Sequence, residues 1–180
     1  MKNKELLNEL RAYADSMRQK LEAAFDGWDD SPEAVVERRK KVFDPVSGYD
    51  YFVSHYFPHY VRSPYRSELH DYLFKTLPEI LQDPKSVNMA TAAPRGEAKS
   101  TLVSQLFTLY CLVTKQKNYA LIVMDSINQA YPMLESIKVE LEFNQRLRID
   151  FPEVAGQGRV WQATTILTKA NQKVEIAGSG

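Results

Sequence analysis

The chain has 180 residues, 44% apolar and 26% charged, an ordinary globular composition with enough for one core, which excludes global disorder. Its 23 lysines and arginines balance 23 aspartates and glutamates, so no overall field draws it to nucleic acid, and any DNA contact has to be a local patch. The single cysteine, Cys111, cannot form an internal disulfide, and its apolar helical setting predicts a buried small hydrophobe in a reducing cytosol.

Residues 1–11 alternate charge with leucine and contain no continuous apolar stretch, which fits neither a signal peptide nor a membrane span. Leu6, Leu10, Tyr13, Met17, Leu21 and Ala24 recur at three- and four-residue spacing, predicting a helix over residues 4–25 whose apolar stripe docks on another element. Residues 26–30 read as a loop. Ser31 and Pro32 then supply an N-cap and a first-turn proline for a second helix to about Val42. The basic run 38–41 on that helix reads as a solvated face in preference to a DNA contact.

Residues 49–65 are aromatic-rich and contain Pro58 and Pro64, which predicts a compact, partly irregular segment, and helical spacing returns over residues 67–77. Residues 87–92 form a short β-capable run, followed by a Pro/Gly turn, a mostly apolar helix over 100–114 and a strand over 119–124. Strand, loop, helix, strand predicts a right-handed βαβ unit of a parallel α/β sheet. Ser126 and Gln129 match a capping box for a helix to about Leu147, with Pro132 implying a kink or a later start. Residues 160–167 and 173–177 read as two strands joined through residues 170–172.

Between the first strand and its helix stands Ala93-Pro94-Arg95-Gly96-Glu97-Ala98-Lys99-Ser100, followed by Thr101. A phosphate loop closes on lysine and then serine or threonine, with glycine at the first and sixth of eight positions; both glycines are alanine here. The chemistry survives the change in principle, because backbone N–H groups in a nest and at a helix N-terminus hold the anion. Ala98 carries the risk, since its methyl has to fit near the phosphates and a positive φ would strain it. Lys99 supplies an ammonium for the β and γ phosphates, the Ser100 hydroxyl can ligate Mg2+, and Arg95 is a planar donor for the transferring phosphoryl group. Glu97 repels phosphate unless it points to solvent, the orientation expected here, or holds water on the metal. The plainer alternative is a strand-to-helix connection that happens to contain lysine and serine.

The string Ala-Pro-Arg-Gly-x-x-Lys-Ser-Thr over 93–101 resembles the Walker A loop of the large terminase subunits of tailed phages. Tyr56-Phe57-Pro58-His59 and Ser67-Glu68-Leu69-His70 are similar to the lead-in of those ATPases. Leu141-Glu142-Phe143-Asn144 and Asp150-Phe151-Pro152-Glu153 are similar to the segment after their second strand. The resemblance spans residues 49–180. It implies a P-loop NTPase fold (RecA/ASCE-like, a parallel sheet core) after an N-terminal helical segment, residues 1–48.

It implies nucleotide binding by Pro94, Arg95, Gly96, Glu97, Ala98, Lys99, Ser100 and Thr101, with Lys99 and Arg95 catalytic, Ser100 on the metal, and ATP and Mg2+ as cofactors. It places His70 or its neighbours near the adenine, although a helix-surface histidine is the plainer reading. The implied activity is ATP hydrolysis that drives double-stranded DNA into a procapsid in the host cytoplasm. The implied partners are a small terminase subunit and a portal, in a homo-oligomeric ring without membrane involvement, and a nuclease lies in a C-terminal domain.

Residues 121–125 imitate a Walker B strand, but Ser126 instead of glutamate follows Asp125, which reads mainly as a helix cap. On the resemblance, Walker B and the water-activating glutamate lie beyond Gly180, so this chain alone is expected to turn over little. His55 and His59 stand four apart across Pro58 with no further ligand, which argues against a metal site. A helicase-like DNA-translocating ATPase and a nucleotide- or partner-binding module without hydrolysis remain as alternatives.

Overall fold

The structure is a computed structural model that describes residues 2–24, 27–61, 63, 65–94 and 96–180. The expectations made for Phe25, Asp26, Pro64 and Arg95 therefore lie outside the described residues. In chain order the elements are α1 (Lys2–Ala24), α2 (Pro32–Val42), α3 (Gly48–Tyr56), α4 (Glu68–Gln82), a π-helical segment (Ser100–Leu106), α5 (Phe107–Val113), β1 (Tyr119–Met124), α6 (Ile127–Phe143), α7 (Gln145–Asp150), β2 (Thr165–Leu167) and β3 (Lys173–Gly178). No described helix is long and apolar enough to cross a membrane. By compactness the chain forms two units: residues 1–30 with 117–180, and residues 31–116. The sequence division at residue 48 follows a resemblance, whereas these units follow contact.

The discontinuous unit is α/β, with a three-stranded sheet ordered β1-β3-β2. β1 and β3 pair in parallel from Tyr119 opposite Lys173 to Met124 opposite Gly178, and β2 pairs antiparallel to β3. The sheet is thus mixed, where a parallel one was expected. Ile122, Val174 and Ile176 are buried on one face, while Tyr119, Leu121 and Val123 alternate onto the other and are about half exposed. Helix α6 covers β1 and β3 through buried Ala130, Leu134 and Ile137. The stripe predicted on α1 is the face that packs on α6, with Met17 and Leu21 buried. The Ser136 hydroxyl donates to the Pro132 carbonyl at 2.8 Å, so Tyr13 is the donor in the 2.6 Å bond that joins the two helices.

Two expectations change here, one for a strand and one for a helix cap. The run 160–167 folds back on itself: Gln162 N–H donates to the Thr165 carbonyl at 2.9 Å, and Trp161 bridges Ile166 antiparallel, so only Thr165–Leu167 remains as a strand. Alternation cannot reveal that fold-back, because both arms keep the same period. Ser126 is the N-cap residue of α6 but makes no side-chain cap bond; only its carbonyl serves, accepting from Gln129 N–H at 3.1 Å. The expected capping box is absent, and Asp125 lies one residue outside the cap.

In the contiguous unit, Ser31 caps α2 through its hydroxyl, which accepts from Ala34 N–H, and Pro32 opens the helix as expected. Helix α4 continues through Pro78 to Gln82, five residues past the expected end. Burial of Leu77 and Leu81 on either side offsets the one backbone bond that proline forfeits. The run 87–92, expected as the first strand, is not a strand: residues 86–94 carry no regular hydrogen bonding, and Val87 is 41% exposed. A strand needs a partner to take its amides and carbonyls, and only Val87 and Met89 offer a sizeable apolar side chain to hold one. Among the described residues the predicted βαβ unit therefore lacks its first member.

Tyr49 organises this unit. Its ring lies 5.4 Å from Phe74, 5.3 Å from Phe107 and 5.2 Å from Tyr110, and its hydroxyl donates to the Leu102 carbonyl at 2.5 Å. That carbonyl also accepts from Phe107 N–H five residues on, the wide turn of a π-helix, so the predicted helix over 100–114 begins as π and becomes α only at Phe107. Burial holds the Tyr49 hydroxyl protonated and raises that of Tyr110 to about 12, so both stay donors. The Tyr110 hydroxyl donates to the Val42 carbonyl at 3.2 Å, beside Gly48, where a Cβ would stand 2.3 Å from the same oxygen. Tyr49→Phe, which leaves the ring in place and strips the Leu102 carbonyl of one donor, is expected to destabilise this unit by about 1–3 kcal/mol in urea denaturation.

Candidate functional site

The loop at residues 93–101 lies wholly in the contiguous unit. Gly96 takes φ +96°, as only glycine does easily, and Ala98 takes φ +49°. For a residue with a Cβ this left-handed conformation costs about 1–2 kcal/mol. It falls at the position where a phosphate loop ordinarily has its second glycine. Lys99 follows with right-handed φ −49° and ψ −52°, and a left-handed residue followed by a right-handed one is the backbone pattern of an anion nest. Leu102 N–H donates to the Ala98 carbonyl at 2.9 Å, so the amides of Lys99, Ser100 and Thr101 precede the first backbone bond of this helical stretch, at its positive end.

The Lys99 ammonium turns back and donates to the Ala93 carbonyl at 2.5 Å and the Pro94 carbonyl at 3.2 Å. Ser100 is exposed, and Thr101 is half-buried. Arg95 lies outside the described residues. Glu97 does not point to solvent: it is half-buried, and its carboxylate accepts from the Ser67 hydroxyl at 2.8 Å. A carboxylate within reach of a hydroxyl donor settles there in preference to open water when the rest of the residue is already partly covered.

His70, half-buried in the first turn of α4, meets the same residue from another side. Its Nδ1 accepts from the Ser67 backbone N–H at 3.3 Å, which puts the proton on Nε2, and Nε2 donates to the Glu97 carbonyl at 3.2 Å. Ser67, His70 and Glu97 do not form a nucleophilic relay, because the hydroxyl is held by the carboxylate and the imidazole by backbone groups. The sequence signal for half of this arrangement is the Ser67-x-x-His70 spacing of a capping box; nothing local pointed from it to Glu97, 27 residues on from His70.

The residue before Ser67 anchors this corner. The Arg66 guanidinium forks onto Asp50 at 2.6 and 2.5 Å, donates to the Ser54 hydroxyl at 2.9 Å and lies 4.7 Å over the Phe74 ring. Helix α3 is thereby tied to the start of α4, and through Ser67 and His70 to the loop. Burial pushes Asp50 up, but the bonds and charge of Arg66 and the bond from Ser54 outweigh it and hold its carboxyl below the usual value. Among the described residues, no group of three or more His, Cys, Asp or Glu could hold a metal ion; His55 stacks on Tyr51 with ring centroids 3.9 Å apart. Comparison with protein-family models, with curated proteins and with solved structures finds no match.

Two outcomes are expected. Ala98→Val, which puts a β-branched side chain on a left-handed backbone, costs about 2 kcal/mol in urea denaturation, whereas Ala98→Gly stays within about 0.5 kcal/mol because strain relief and added chain entropy oppose each other. A lowered folded-state pKa makes the Asp50 contribution present above the unfolded carboxylate pKa and lost as pH falls through the folded one. Asp50 and Arg66 are 38% and 34% exposed, so solvent screens the pair. Asp50→Asn should cost no more than about 1 kcal/mol at pH 7, and its gap from wild type should close as pH falls below the ordinary carboxylate range and shrink in high salt.

Proposed function

We propose that this chain is the ATP-binding part of a viral DNA-packaging motor, a large terminase subunit. In the whole protein, ATP hydrolysis would drive double-stranded DNA into a procapsid, with a small terminase subunit and a portal as partners. The observation that carries the reading is the backbone of the loop: Ala98 adopts the left-handed φ of +49° that a phosphate loop asks of its second glycine, directly before Lys99 and Ser100. Strain of that kind persists only where surrounding structure holds it, and it concentrates at ligand sites.

On this reading the amides of Ala98, Lys99 and Ser100 take phosphate oxygens. Lys99, which bonds the Ala93 and Pro94 carbonyls, would supply its ammonium to the β and γ phosphates, and the Ser100 hydroxyl would be the residue to hold Mg2+. Bound Mg2+-ATP supplies the transferable phosphoryl group and most of its counter-charge. The role of Arg95 as a catalytic donor rests on the resemblance alone. A second reading, a nucleotide- or partner-binding module without hydrolysis, is favoured by one observation: Glu97, the one carboxylate in the 93–101 string, is bonded to the Ser67 hydroxyl and so is not placed to activate water.

Calorimetric titration of the chain with Mg2+-ATP is expected to show weak binding that Lys99→Ala reduces at least about tenfold with unchanged circular dichroism. The chain alone is expected to turn over little, whereas DNA-stimulated hydrolysis by the whole protein should be lost on the same substitution. ATP affinity untouched by Lys99→Ala removes this reading. Robust Lys99-dependent turnover by residues 1–180 alone removes the expectation that hydrolysis needs groups outside them.

A further inference from the structure

The peptide between Glu97 and Ala98 has its carbonyl fixed by the His70 Nε2–H at 3.2 Å. Across a trans peptide the carbonyl and the following N–H point in opposite directions, and the chain contains no cis bond among its described residues. A carbonyl drawn toward the first turn of α4 therefore sends the Ala98 N–H to the opposite side of the loop. That amide is the first of the three contributed by the left-handed Ala98 and right-handed Lys99 pair. The second bond concerns charge. Glu97 is the one carboxylate in the 93–101 string, and the Ser67 hydroxyl keeps its Oε2 at 2.8 Å, committed to α4. Left unheld two residues before Lys99, that carboxylate would compete with phosphate for the ammonium and repel the phosphate directly.

We propose that Ser67 and His70 are positioning residues for the phosphate loop: His70 orients the 97–98 peptide so that its amide is offered to an anion, and Ser67 holds the Glu97 charge away from that anion. This rests on the reading of residues 93–101 as a nucleotide-phosphate site. The imidazole meets two demands at once, accepting from Ser67 N–H and donating to the Glu97 carbonyl. A glutamine carboxamide can do the same, since it has both an acceptor and donors and is at home at this position of a capping box.

The test titrates the full chain with Mg2+-ATP, with circular dichroism as a check on folding. His70→Ala and Ser67→Ala are each expected to weaken binding by about tenfold, the scale of one lost hydrogen bond to a site amide or one uncompensated charge. His70→Gln should recover most of the first loss. The double variant Ser67→Ala with Glu97→Gln should recover most of the second, an interaction between two side chains that general loosening of the helix would not produce. If Lys99→Ala abolishes binding while His70→Ala and Ser67→Ala bind as wild type, the positioning role is overturned and the phosphate site stands. If Glu97→Gln fails to rescue Ser67→Ala, the charge-holding role is overturned. Should His70→Ala not fold, His70→Gln and the Ser67/Glu97 pair decide the matter. If Lys99→Ala itself binds as wild type, the site reading falls and this inference with it.

Discussion

A tyrosine ring buried in an apolar cluster brings its hydroxyl with it, and that hydroxyl has to find an acceptor. Tyr49 finds the Leu102 carbonyl inside a helical segment, not at its end. The consequence runs in both directions along the chain. The carbonyl it takes is one that a π turn widens, so the stretch from Ser100 to Leu106 is set in place relative to α3. The same ring touches Phe74 of α4 and Phe107 and Tyr110 of α5, so four elements share one anchor. The loop 93–99 enters a helix whose position has been fixed by packing several residues downstream. This is how a strained residue such as Ala98 is retained: the cost of its φ is small against the burial that holds the helical residues after it.

Where α3, α4 and the loop meet, charge and hydrogen bonds add to the aromatic packing of Tyr49 on Phe74. Arg66, Ser67 and His70 are nearly consecutive, and each makes a different kind of connection: a forked ion pair back to α3, a hydroxyl on the Glu97 side chain, and an imidazole on the Glu97 backbone. Joints of this kind fix direction as well as distance, so the Glu97 side chain and the 97–98 peptide are each held in one orientation.

The elements legible in the sequence are those whose cause is local. Residues 119–124 are a continuous apolar run and form β1 with the expected bounds, and Ser31-Pro32 opens α2 where the cap and the proline put it. The strand expected at 87–92 fails because β structure needs a partner the sequence cannot name, and the run 160–167 divides because a turn inside it leaves the period untouched. At the candidate site the sequence marked Ala98 as the position where a left-handed backbone would be a strain, and its φ is +49°. What was not legible is the distant half: Glu97 with Ser67 and His70, and Arg66 with Asp50, are pairings across 16 to 30 residues that no spacing rule encodes.

The helix that opens the chain belongs with the residues that close it. α1 packs on α6, and β1 waits for β3, while residues 31–116 form a unit by themselves. During synthesis, then, the middle of the chain can fold as soon as it emerges, and α1 must remain without its partner while more than a hundred residues are made. Its exposed face carries charge, with Arg18 and Glu22 paired at 2.8 Å one turn apart. The order in which the two units complete thus follows from the connectivity: residues 31–116 are all made before the last strand of the other unit.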